Sequence, residues 1–496
     1  MPPVSTAFRR AGLLFSSLAV VALVSAVAPA RAASGASTTP DATWGTAPTA
    51  KGRSELVLAM QPVGGTVYIG GKFTTLVPPA GNSVPSVTRN RLAAFDVAGR
   101  SLLPWNPDAN GTVRALAVSA DGTKLYVGGD FTKIGGVSAP KIAMLDRVTG
   151  KVVKTFKSNV KGRVFSIALS GNRLFVGGDF DEVKGPGGVL VARNKVAALD
   201  ATTGALLDWA PPPLGPGRYM GQTGVPTPDA PAGYAYAVAV PADGSRVYVG
   251  GNFIDMGGRG GMVVLDAVTG AALPQQWTVE RPVHDLEVWP GDGTTVFAAT
   301  GGPGGRIYAF RPSVPTRPLW KAAVDGDAMG VAASNTTVFL AGHYDFIIPK
   351  KSTCYQYCPE GTERRHLAAF EAATGMLDPW NPRADTSTGP YSVAVGDDHV
   401  FVGGEFNTIN GGGQPGYAQF ALPPSMPPAT TASSSPSSAS PSSTSPTTTA
   451  TTVKPQTATS ATTGPTTTTS PTTTTRPPAS TTTTTTGGSL LGSLFG

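Results

Sequence analysis

Cysteine is almost absent from this 496-residue chain: Cys354 and Cys358 are the whole supply. Zinc would need further ligands close by, and only His343 and His366 are candidates. Standing four apart, the two cysteines predict a local disulfide that shapes a loop, because so small a ring removes little unfolded-chain entropy. Histidine is scarce too, with four residues, none in a recognisable local frame with a serine or cysteine nucleophile. Charged residues make up only 14% of the chain, and no block of Lys and Arg occurs. Of the formal net charge of +7, Arg9, Arg10 and Arg31 supply three and Lys454 and Arg476 two, leaving +2 for everything between. That balance excludes a phosphate-binding stripe, so no nucleic-acid partner is expected. Long apolar runs are missing outside residues 11–28. No other stretch approaches the roughly 20 apolar residues that span a bilayer, so no transmembrane segment is expected.

The one apolar run follows Arg9 and Arg10 and closes at Ala30-Arg31-Ala32. A positive start, a short apolar centre and an A-x-A exit predict a secretory signal peptide over residues 1–32, then a short linker over 33–40. The mature chain is therefore expected outside the cytoplasm, secreted or held at the cell surface. Residues 424–486 are almost entirely Ser, Thr and Pro. With nothing apolar to bury they cannot offset their ordering entropy, which predicts a disordered stalk. The last segment, 487–496, reads GGSLLGSLFG and is too short to cross a membrane.

Between these ends one phrase keeps returning. LYVGGDF from Leu125 reappears as VYIGGKF from Val67, LFVGGDF from Leu174, VYVGGNF from Val247, VFLAGHY from Val338 and VFVGGEF from Val400, with a degraded VFAATGG from Val296. Seven copies at roughly fifty-residue spacing mean one supersecondary unit stacked on itself. In the second unit an alternating run from Val113 meets Ala120-Asp121-Gly122, a tight-turn signal. A strand from Leu125, a loop, a strand from Ile142, a turn over Asp146 to Gly150 and a strand from Val152 follow. Four short antiparallel strands per repeat predict an all-β fold, a seven-bladed β-propeller over residues 41–423. The last unit stops after three strands. Trp44-Gly-Thr-Ala-Pro48 resembles the strand ends at Trp105 and Trp380, so the amino-terminal segment is expected to supply the missing outer strand and remove two open edges. Six of the seven tryptophans fall at this one position, where a large side chain packs one unit against the next.

The repeat region resembles secreted bacterial β-propellers of the delta-60 and YVTN repeat type. The resemblance is carried by G-G-x-F at Gly70, Gly128, Gly177, Gly250 and Gly403, by LD-x-x-TG at Leu145, Leu199 and Leu265, and by W-N-P at Trp105 and Trp380. It implies architecture and no catalytic set, because fold does not deliver function.

Loop length points to a face. The long connections, residues 72–90, 179–194, 211–233 and 343–366, emerge on one side of such a disc, and loops on a rigid scaffold usually carry recognition. The rim there includes the residue after the paired glycines: Lys72, Asp130, Asp179, Asn252, His343 and Glu405. These, with Asp345, Arg364 and Arg365 in the long loops, are the candidate binding residues; Tyr219 lies in another such loop. Each could instead cap its own turn. No cofactor is implied. Calcium is the one ion such a polar ring could gather, although Lys72 and His343 fit it poorly. The expected role is a monomeric binding module that takes a carbohydrate, a cell-wall component or a protein across this long-loop face. The rival is an extracellular hydrolase or lyase with an axial metal or carboxylate pair, for which His343 with Asp345, or Asp130 with Asp179, are the candidates.

Overall fold

The computed structural model describes residues 34–215, 233–254, 260–274, 277–279, 281–302, 304–350, 352, 354, 357–386 and 388–423. The chain divides into two compact units, Met1–Pro428 and Ala429–Gly496. The expected signal peptide, stalk and apolar end, and Tyr219, lie outside the described residues.

Among the described residues the protein is all-β, with one 3-10 turn at Pro186–Gly188 and no helix long and apolar enough to cross a membrane. One plan recurs in seven antiparallel sheets. The first strands are Val57–Val63, Val113–Val118, Val164–Ser170, Tyr234–Ala239, Val283–Val288, Asp327–Ala333 and Pro390–Val395. Each pairs with a second strand that carries the recurring phrase, such as Lys124–Gly129 or His399–Gly404. A third strand, such as Ile142–Asp146 or Tyr417–Ala421, pairs on the far side. The second strands are buried almost throughout because a neighbouring sheet covers each face, and they read as unbroken apolar runs rather than alternating ones.

Seven apolar clusters hold these sheets together, and each is shared by two consecutive ones. Tyr68 and Leu92 of the first sheet join Val113 and Val127 of the second; Ala332 and Phe339 of the sixth join Val400 and Phe420 of the seventh. Phe401 and Tyr417 of the seventh join Val57 and Phe95 of the first, with the Phe95 and Tyr417 rings stacked at 4.8 Å. The paired glycines follow from this packing. A side chain at the first glycine would collide with the next sheet: Gly70 meets Val113, Gly128 meets Val164, Gly250 meets Val283 and Gly403 meets Val57. At the second glycine it would press on backbone of its own sheet, as Gly129 does on the Thr112 carbonyl. Gly129→Ala should therefore cost about 1–3 kcal/mol, an overpacking penalty readable in denaturant unfolding.

The fourth strand is shorter than the repeats suggest. Ser101–Leu102 and Trp320–Val324 are ladder strands, but elsewhere single bridges remain, such as Leu145 with Val152 and Phe370 with Leu377. Pro274 and Pro379 directly follow Leu273 and Asp378, whose N–H groups make the last bonds to the third strand, and have no N–H of their own to extend it. The seventh sheet takes its outer contact from the other end of the chain: the Ser37 and Asp41 N–H groups donate to the Ala421 and Gln419 carbonyls at 2.8 and 2.9 Å. Residues just before Trp44 thus make these bonds, while Gly45–Thr46 pairs with Val77 and Leu76 in the loop hairpin of the first sheet. Tryptophan indoles tie neighbours together, with Trp209 donating to the Asp266 carbonyl, Trp320 to Ala372 and Trp380 to Ser37.

Candidate functional site

The LD-x-x-TG carboxylates are spent on turns. Asp146 accepts from the Thr149 N–H and hydroxyl at 3.0 and 2.8 Å, Asp200 and Asp266 repeat the arrangement, and Gly150 holds φ at 69°. Those bonds hold the Asp146 carboxyl below its ordinary pKa. The opposite ends of the sheets differ. Every first strand carries a β-bulge at the same place, opposite the paired glycines or their equivalents. The bulged residues are Leu58, Arg114, Phe165, Tyr236, His284, Met329 and Tyr391. All seven line one central cavity of about 550 Å³ to which every first strand contributes.

Four of these side chains form a continuous wall. The Arg114 guanidinium lies 5.3 Å from the Phe165 ring centroid, Phe165 is 5.8 Å from Tyr236, and Tyr236 stacks on His284 at 5.5 Å. Arg163 approaches Phe165 as well, at 5.4 Å. Burial lowers the His284 pKa against the pull of Asp327, so this imidazole is neutral at physiological pH. Burial pushes the Tyr236 phenol up.

The residues after the glycines flank this wall. Asp130 receives the Arg114 Nε and Nη2 at 2.8 and 2.9 Å, a bidentate pair that fixes the guanidinium. Asp179 receives the Arg163 Nε on one oxygen at 2.6 Å and the Arg163 backbone N–H on the other, and Asn252 hydrogen-bonds the Tyr236 side chain. Glu405 accepts from the Thr388 hydroxyl at 3.0 Å and lies 3.5 Å from Arg53. Partial burial and then the Arg114 guanidinium lower the Lys72 pKa, opposed by Asp130. Asp130 and Asp179 are each committed to a guanidinium of their own sheet rather than to one another. His343 is exposed and stacks on buried His366 at 6.1 Å; burial brings the His366 pKa down to about 4. No hydrogen bond or ion pair joins His343 to Asp345 among the described residues.

The loop arginines separate. Arg364 donates to the Glu363 and Asp378 carbonyls at 2.8 and 3.0 Å, as Arg89 and Arg193 do in their own sheets. It is a clamp within the sheet. Arg365 is exposed and pairs with Glu363 at 2.8 Å. Cys354 and Cys358 form a disulfide. Their sulfurs and Glu360 are the one group of three potential metal-ligand residues among the described residues, and bonded sulfurs offer no thiolate.

Sequence reasoning missed the bulged ring and two carboxyls below it. Asp285 accepts from the Val331 N–H at 2.9 Å, as the Ser166 hydroxyl accepts from the Val238 N–H at 3.0 Å, so both tie one first strand to the next. Glu287 lines the same cavity. Burial raises Asp285 to about 7, and burial with the neighbouring Asp285 raises Glu287 to about 8. Folding takes up protons on these groups between the unfolded carboxyl range and their folded values, so their contribution to stability falls as pH rises from about 4 to about 8. Glu287→Gln should stabilise the protein by about 2–4 kcal/mol at pH 9 and leave it nearly unchanged at pH 4, in denaturant titrations at the two pH values.

No protein family matches the chain, and no curated protein matches its sequence. Among solved structures the computationally designed Ika8 protein is similar at 12% identity and a TM-score of 0.44, over 77% of this chain and 100% of that one.

Proposed function

We propose that the chain is a secreted or surface-displayed seven-bladed β-propeller, and that it works as a recognition module for a carbohydrate-bearing cell-wall component. Supporting the ring are the apolar cluster between the last and first sheets, the contact of Gly403 with Val57 and the bonds from Ser37 and Asp41 to the seventh sheet. Supporting export are the leader-like start and the Ser/Thr/Pro tail.

The observation that carries the binding reading is the wall of Arg114, Phe165, Tyr236 and His284 at the cavity, braced by Asp130 and Asn252. Aromatic faces beside fixed polar groups suit sugar rings, which present apolar C–H faces and hydroxyl edges. The wall lies at the end of the sheets where the long loops emerge. Glycan-array and cell-wall pull-down measurements on the mature chain test this. Tyr236→Ala and Tyr391→Ala should abolish retention, while Val148→Ser, an exposed change in an LD-x-x-TG turn, should leave it intact. Equal retention by all three would reject the face; retention of a protein without glycan would replace the ligand class.

A further inference from the structure

Glu287 is a carboxyl that the architecture does not require. At the same place in the first strands of the other units stand Gln61, Ala117, Ala168, Ala239, Ala332 and Ala394, so alanine suffices to build the sheet there. Asp285 differs, because its oxygens serve the Val331 and Leu286 N–H groups. For Glu287 no hydrogen bond or ion pair occurs among the described residues, and the charged group acting on it is Asp285, another acid. Glu287 is half-buried in the cavity wall and has no counter-charge beside it, so a cation entering the cavity would meet this carboxyl unopposed.

We propose that the central cavity takes an amine-bearing sugar, with the ammonium against the Glu287 carboxylate and the ring against Tyr236 and its neighbours. This rests on the recognition reading above and names the chemistry of the ligand. Three features of the cavity select that chemistry. Its volume, about 550 Å³, is far more than a bare ion fills. Its lining is mostly polar in the surface it exposes, with the neutral polar groups of Gln61, Ser166 and Ser392 beside the largely buried Leu286, Val331 and Val393. A hydrated metal would find only two carboxylates and would need more oxygen ligands. A lysine side chain could reach Glu287 but would leave most of the space empty, whereas a short amino-sugar oligomer occupies both wall and floor.

Binding of an ammonium is linked to protons. Asp285 and Glu287, raised to about 7 and about 8, are largely protonated in mildly acid solution, and a bound cation favours their charged forms. The strands packed around Val283–Val288 contribute Tyr234, Tyr236, Arg246, Tyr248 and Asp327 as titratable groups, and His284 lies on the strand itself. Asp327 acts on His284. The ligand should therefore bind more weakly at pH 5.5 than at pH 7.5 and release protons as it enters.

The test is calorimetric titration of the mature full chain with glucosamine trisaccharide and with its N-acetylated counterpart, at both pH values and in two buffers of different ionisation enthalpy. The expected result is an affinity about tenfold higher for the free amine at pH 7.5, the worth of one charge-assisted hydrogen bond, with proton release into buffer at pH 5.5, where the sugar amine is already an ammonium. Glu287→Gln should remove that preference and the proton release. Glu287→Ala, which restores the residue most other units carry, should do the same and guards against a folding artefact. Equal affinity for both sugars, unchanged by either variant, overturns the amine site while leaving glycan recognition standing. Binding of neither sugar overturns both. A lysine peptide that binds more tightly than the trisaccharide overturns the sugar assignment.

Discussion

Trp380→Ala should cost about 3–5 kcal/mol in denaturant unfolding, the range for a fully buried large aromatic. The indole is 2% exposed. It meets Phe339 edge-on at 5.2 Å and Phe420 at 5.5 Å, one from the sixth sheet and one from the seventh. Its N–H donates to the Ser37 carbonyl at 2.9 Å. Three parts of the fold therefore lose a common partner at once. Trp380→Phe keeps most of the ring contact and forfeits the hydrogen bond, so it should cost about 1 kcal/mol if the Ser37 carbonyl finds water. A small loss on Trp380→Ala would mean that the sixth and seventh sheets do not depend on this junction.

Asp41→Ala should cost about 2–4 kcal/mol. Its carboxylate receives the Gln419 Nε2 at 2.9 Å, lies 3.2 Å from the His399 Nε2 and meets the Arg100 guanidinium at 3.0 Å. These contacts are unequal. Arg100 is 53% exposed, and an exposed pair contributes little after solvent screening. Gln419 is fully buried, where a lost partner costs the desolvation of the group left behind. Asp41→Asn retains an acceptor for Gln419 and should recover most of the loss, whereas Arg100→Ala should change stability by less than about 1 kcal/mol.

Much of the fold was legible because its constraints fall on backbone space. Only glycine fits where Gly128 meets Val164 and Gly129 meets the Thr112 carbonyl, so the phrase had to recur. The Asp146 turn was legible for the same reason, since one short carboxylate and one glycine at positive φ close it. Trp44 marked the junction of first and last sheets, but it follows the bonded residues rather than containing them, because a tryptophan at this position ends the outer run.

The site was legible only in part. The residues after the glycines could be found, since a fixed phrase points to them. The bulged ring could not be read from residue type, because Leu58, Arg114, Phe165, Tyr236, His284, Met329 and Tyr391 share none. What they share is the small residue that usually follows, Ala59, Ala115, Ser166, Ala237, Gly330 and Ser392, with Asp285 as the departure. That pattern was the available signal. The carbonyl bonds of Arg364 were not legible, because they depend on strand pairing that sequence spacing does not reveal.

The fold's integrity depends on the amino-terminal segment lying against the last sheet. Deleting Asp41 to Pro48 and, separately, everything beyond Pro428, then following unfolding of each against the intact mature chain, tests this most directly. The expected result is that the first deletion removes the cooperative transition or moves it far toward lower denaturant, while the second leaves the midpoint where it was. Equal midpoints for the two truncated chains would contradict it.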